Sequence, residues 1–284
     1  MTHLQKQSGA LQRQLNVALA KIERDVPAKA VHRLRTTARR IQTLISTQPI
    51  RLRDKDRQAI RELERIRRRG GKVRDLDVQI PLLRVLSNRS VGKDCLVLRQ
   101  ALLKKRTKRA ERLAATARTV VQSKFCDRLY RVLHQMAPTA ESPSHADEQD
   151  LLVQAQLKLE QLGAVFGGDP QPSSKRLHQL RIALKHTRYL AELSQPSQAR
   201  DELIARLKFA HKVLGEWRDW ELLAKTAEKQ FAHRTNCALV AEIRARLAGR
   251  RALVLPALNR LFLLSPERKQ PQPASSDRAL AQSA

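Results

Sequence analysis

The 284-residue chain is poor in what disulfide scaffolds, single-strand binders and membrane spans are built from. Its three cysteines, Cys95, Cys126 and Cys237, lie far apart and form no C-x-x-C pair, which points away from a disulfide framework and from a zinc site. Aromatic residues make up only 3%, and stacking on aromatic rings is how single-stranded nucleic acid is commonly held. No run of about 18 apolar residues occurs, and the polar start "MTHLQKQSGALQRQL" lacks the apolar core of a secretion signal. The sequence therefore reads as a soluble, unexported, cytoplasmic protein. Acid is scarce too: 27 Asp and Glu face 56 Lys and Arg, a formal charge of +29. Such a chain repels itself unless a polyanion compensates. DNA, RNA, an anionic membrane and inorganic phosphate polymers are the candidate partners.

What is present is helical patterning. Hydrophobic residues make up 42% of the chain, sufficient for two small cores of about 100 to 150 residues each. They recur at spacings of three and four almost throughout, while strand-like alternation is hard to find, so the fold class is all-α. Breakers at Val26-Pro27, Gln48-Pro49, Ser87 to Gly92, "GGDPQPSS", "SQPSQ" and Ala232 to Asn236 separate the helices. The longest low-complexity stretch, "APTAESPSHADEQD", is also the only locally acidic one. It divides the chain into an N-terminal four-helix half (1–137), a linker (138–148) and a C-terminal four-helix half (149–265), followed by a Pro/Gln/Ser-rich tail (266–284) expected to be disordered.

The halves align by hand. Val31, His32, Leu34, Arg35, Arg39 and Leu44 fall on Leu177, His178, Leu180, Arg181, Lys185 and Leu190 at an offset of 146. "GGKVRDLDV" (70–78) falls on "LGEWRDWEL" (214–222) at an offset of 144. Two blocks in one order, at nearly one separation, predict duplication of a helical unit and a pseudo-twofold arrangement.

In helical projection His32, Arg35 and Arg39 share one stripe, and Leu34, Ala38, Ile41 and Ile45 share another, so this helix can bury one side and offer cations on the other. The copy repeats it with His178, Arg181, Lys185 and Arg188 against Leu177, Leu180 and Leu184. Arg67, Gly71 and Arg74 form a third stripe, and Lys208, His211, Gly215 and Arg218 a fourth. Glycine inside a helix costs about 1 kcal/mol relative to alanine. Gly71 and Gly215 therefore want a reason: close approach of a phosphate chain or backbone, or a tight helix crossing. The acids beside these arginines, Asp75, Asp77, Asp219 and Glu221, can orient guanidinium forks or hold a divalent metal; orientation is the reading adopted, with no metal site. Lys104, Lys105, Lys108, Arg109 and Arg112 crowd one segment with a single nearby acid, Glu111, and count as secondary contributors. Arg33 and Arg40 fall off the main stripe and are expected to matter less. No P-loop, catalytic triad or Cys-His arrangement emerges, so no catalytic residue and no cofactor is expected.

At these residues the sequence resembles the CHAD family, the conserved histidine α-helical domain. The carriers are "VHRLRTTARR", "GGKVRDLDV", "LHQLRIALKHTRYLAEL" and "LKFAHKVLGEWRDWELL", in order, within residues 5 to 265. The resemblance implies two four-helix bundles related by pseudo-twofold symmetry around a basic channel that binds inorganic polyphosphate, in some members on polyphosphate granules. It carries the binding role to His32, Arg35, Arg39, His178, Arg181 and Lys185, with Arg67, Arg74, His211 and Arg218 on facing helices. Gly70 stands where the family has leucine and His186 where it has arginine. The competing expectation from charge alone is a basic helical protein that binds nucleic acid.

Overall fold

In the computed structural model, residues 3–47, 52–86, 91–134 and 145–263 are described, and they form helices without a strand. In chain order these are α1 (His3–Arg24), α2 (Ala28–Ser46), α3 (Asp54–Arg84), α4 (Gly92–Gln122), α5 (Phe125–His134), α6 (His145–Phe166), α7 (Ser174–Leu193), α8 (Gln198–Gln230), α9 (Ala238–Ala252) and α10 (Val254–Leu263). Helix α2 starts directly after Pro27, whose missing N–H costs nothing at a helix N-terminus. Ser173 and Ser197 cap α7 and α8 by accepting the N–H groups of Arg176 and Arg200 at 3.3 and 3.2 Å.

Each half thus holds five described helices rather than four. Two further breaks make the difference, and only the second has a proline near it, Pro256. The first, between α4 and α5, turns on Lys124 at φ 54°. The second, at Leu253, divides α9 from α10. Helix α5 is held on α3 by the Arg128–Glu62 ion pair at 2.7 Å, both side chains largely buried. Of the expected linker, residues 145–148 already belong to α6, and 138–144 lie outside the described residues. So does the tail 266–284.

Packing follows the chain. Helix α1 lies on α2, α2 on α3 and α3 on α4; α6 lies on α7, α7 on α8 and α8 on α9. Across the middle, α2 packs on α7 and α3 on α8. The predicted apolar stripes are the buried ones: Leu34, Ala38, Ile41, Leu177, Leu180 and Leu184 are at most 1% exposed. The interior differs from one core per half. One cluster joins Leu15, Leu34, Leu63 and Leu113 to Leu180, Leu207 and Trp217. The other joins Leu76, Leu98 and Leu102 to Trp220, Leu223 and Ile243. Both clusters draw on both halves, because α2–α7 and α3–α8 contacts bring apolar faces together across the middle.

Candidate functional site

With Leu34 and Leu180 turned inward, the opposite faces of α2 and α7 look toward each other and toward α3 and α8. Together they enclose a cleft of about 450 Å³. Its basic residues are His32, Arg35 and Arg39 from α2, Arg74 from α3, His178, Arg181 and Lys185 from α7, and His211, Lys212 and Arg218 from α8. Asp75, Asp219 and Glu216 are the acids of the lining.

Crowding of like charge shows in the titration of these groups. Burial, reinforced by Arg39, Arg181 and Arg35, pushes the Lys185 ammonium down to about 6. Burial together with Lys185 and Arg181 pushes His211 down to about 3. His32 is lowered by burial, Arg74 and Lys185; His178 by burial, Arg218 and Arg181, against the pull of Glu221. Burial likewise lowers Arg35 and Arg181, each partly relieved by an acid: Asp75 beside Arg35, Asp219 beside Arg181. Asp219 itself is raised, because burial outweighs the attraction of Arg181 and Arg74. Several polar atoms of the lining are buried without a hydrogen-bond partner among the described residues: the donors Arg39 Nε and Arg181 Nε, and the ring nitrogens His178 Nδ1 and His211 Nε2. The cleft is therefore a concentrated cationic surface with unused hydrogen-bond donors, the chemistry that recognises phosphate oxygens.

Three predicted residues do not line it. Arg67, lowered by burial and then by Arg39, reaches Glu64 at 3.9 Å. Arg188 pairs with Glu192 at 3.4 Å and stacks on Tyr189 at 5.2 Å. Lys208 lines a separate cavity of about 370 Å³ with Gln7, Arg40, Tyr189 and Arg200. Lys104, Lys105, Lys108, Arg109 and Arg112 lie outside the cleft on α4, where Arg109 donates to Lys72 O at 3.0 Å and Arg69 donates to Arg112 O at 3.1 Å. Off-stripe Arg40 ties α2 to α7 through Glu192 at 2.8 Å. The sequence reading missed Thr36 and Lys212. Lys212 was findable, one residue after His211 on the same helix.

The glycines separate the two explanations offered for them. A Cβ on Gly215, which lines the cleft, would meet nothing within 4 Å, and one on Gly71 would come no nearer than 3.8 Å to Arg35 Nε. Neither marks a tight crossing. The tight crossing is at Gly70, where a Cβ would lie 3.2 Å from Leu34 Cδ2 and 3.4 Å from Arg35 Cγ. The residue that departs from the family pattern thus seats Arg35. The acids divide as well. Asp75 and Asp219 line the cleft, Glu221 accepts from Arg218 and Lys225, and Asp77 is taken by Arg106 of α4 at 2.7 Å. Among the described residues no cluster of three potential metal ligands occurs, the cysteines are free, and no helix is long and apolar enough to cross a membrane.

Fold and cleft define an all-helical protein organised around a cationic cavity between paired helices. The CHAD domain matches residues 4–228, and the chain belongs to that family, which is associated with polyphosphate-related proteins. In fold it is similar to the crystal structure of the CHAD domain from the plant Ricinus communis, with a TM-score of 0.68 over 92% of this chain and 91% of that one at 16% identity. It is also similar to PptA from Streptomyces chartreusis, with a TM-score of 0.61 over 93% and 96% at 21% identity. No curated protein matches its sequence.

Proposed function

We propose that the cleft binds inorganic polyphosphate and does not turn it over, and that this binding attaches the protein to polyphosphate granules. One observation carries the reading: basic residues from four helices line a single cavity between them. A linear polymer with roughly one charge per phosphate can meet many of these cations at once, and arginine forks match its oxygens bidentately. Duplex DNA calls for an open patch or a protruding helix, which an inward-facing arrangement does not offer.

The test is titration of long-chain polyphosphate into the wild type and the Arg35→Glu/Arg181→Glu variant, with duplex DNA as competitor. Tight binding abolished in the variant, and not displaced by DNA at equal phosphate concentration, is expected. Unchanged binding by the variant overturns the site, displacement by DNA overturns the ligand, and release of phosphate with Mg²⁺ or Mn²⁺ overturns the non-catalytic role. Diffuse signal of a fluorescent fusion in cells rich in polyphosphate overturns granule attachment.

A further inference from the structure

The aligned halves put Arg74 and Arg218 at equivalent positions, each followed three residues later by an acid, Asp77 or Glu221. The two acids have different partners. The Glu221 side chain, 5% exposed, accepts from Arg218 Nη1 with one oxygen and from Lys225 Nζ at 2.7 Å with the other. Burial opposes the Glu221 charge, yet the bonds from Lys225 and Arg218 together hold its carboxyl below the usual range, so it stays an ionised acceptor. Asp77, 3% exposed, instead accepts from Arg106 Nε at 2.7 Å, and Arg106 also donates to Val26 O at 2.8 Å. Through Arg106 that acid helps fasten α4 to α3, while Arg106 itself reaches the turn before α2. Arg74 is left without a hydrogen bond or ion pair among the described residues, and acts only through space on Asp219, Arg35 and His32.

We infer that Glu221 is a positioning residue that presets Arg218 for the bound polyanion, so that the two walls of the cleft are unequal: Arg218 is the preformed contact and Arg74 the one that orders on binding. The inference rests on the polyphosphate reading for its ligand, but not for the arrangement of the two arginines. A fork held at one nitrogen keeps its remaining donors for phosphate and loses little rotamer freedom on binding. A long side chain that must be immobilised weakens association. Charge acts in the opposite direction, because neutralising Glu221 makes the cleft more cationic and by itself attracts a polyanion more strongly. The sign of the change therefore separates orientation from net charge.

Two measurements test this on the full chain. In the free protein, arginine modification by phenylglyoxal, read by mass spectrometry, should be faster at Arg74 than at Arg218, and Glu221→Gln should bring Arg218 up to the rate of Arg74. Glu221→Asp keeps the charge but draws the carboxylate back, and should also speed labelling at Arg218; it decides the matter should Glu221→Gln fail to fold. Equal rates in the wild type, or rates unmoved by either variant, overturn the inference. In polyphosphate titrations, Glu221→Gln should bind roughly three- to tenfold more weakly, the cost of ordering one long side chain. The same change in an Arg218→Gln background, where only the charge effect is left, should cause no loss and should tighten binding slightly. Tighter binding by Glu221→Gln, or an equal loss in both backgrounds, overturns it. A wild type that ignores polyphosphate defeats the ligand assignment, while the labelling still decides the positioning role.

Discussion

Lys185 is the residue on which the cleft's electrostatics are most visible. Unfolded, it should titrate at the ordinary lysine value of 10.5; folded and free, it is held at about 6. Between those values the unfolded chain binds a proton that the folded chain does not, so this group makes stability rise with pH across that window. Lys185→Met should therefore raise the melting temperature of the free protein at pH 6 and flatten its rise toward alkaline pH, as scanning calorimetry would read. A bound polyanion reverses the balance by favouring the charged form. Binding should take up protons and tighten as pH falls toward about 6, the gain from Lys185 levelling off below that value, where it is protonated in the free protein as well. His32 and His178, each lowered from 6.5 by burial and neighbouring arginines, add to the same trend. Calorimetric titration in two buffers of different ionisation enthalpy counts the protons. Gly215→Ala is the complementary case. With nothing within 4 Å to obstruct a methyl, it should stabilise α8 by about 1 kcal/mol in denaturant titrations. It should weaken polyphosphate binding at the same time, since the methyl stands on the bare backbone facing the cleft. Most of these side chains were legible because a stripe three, four and seven residues apart must share a helix face. Lys208 was not: it shares the face of His211 but sits one turn earlier, where α8 has passed the cleft and faces α1 and Arg40.

At the level of elements, the long helices α3 and α4 share a buried ion pair beside their more exposed links through Arg69 and Arg109. Asp77 and Arg106 face each other with side chains 3% and 25% exposed, and Arg106 also reaches Val26 O. Removing one member of a buried pair strands the other's charge, so Asp77→Ala should cost about 3 kcal/mol in urea unfolding. It should leave the labelling rate of Arg218 unchanged. That acid's role was not readable from its place in a repeated "RDLDV", because the repeat aligns it with Glu221 while its partner arrives from α4, far away in sequence. The break that makes α5 a separate helix was hidden for a different reason. Lys124 adopts φ 54° without being glycine, held by the anchorage of α5 on α3 through Arg128 and Glu62, and tertiary anchoring leaves no local composition signal. The helical class and most element boundaries were legible, since Pro and Gly clusters do mark them.

For the whole molecule, the net charge of +29 and the cationic cleft predict one collective behaviour. Polyphosphate should raise the melting temperature, and the rise should collapse steeply between about 50 and 200 mM salt as condensed counterions lose their entropic advantage on release. A stabilisation insensitive to salt would speak for a few specific bonds instead of a polyelectrolyte contact.

The mixed composition of both apolar clusters has a further consequence for the chain as an object that can be divided. Because Trp217 and Trp220 are buried among leucines from both sides of the connection between α5 and α6, a chain severed there would yield two pieces, each carrying an unburied apolar face that only the other can cover. Co-expressed, the pieces should find one another. Since α2 and α3 travel with one piece and α7 and α8 with the other, capture of the polymer should appear only on reunion, making the split chain a coincidence detector in which a phosphate polymer reports that two fragments have met.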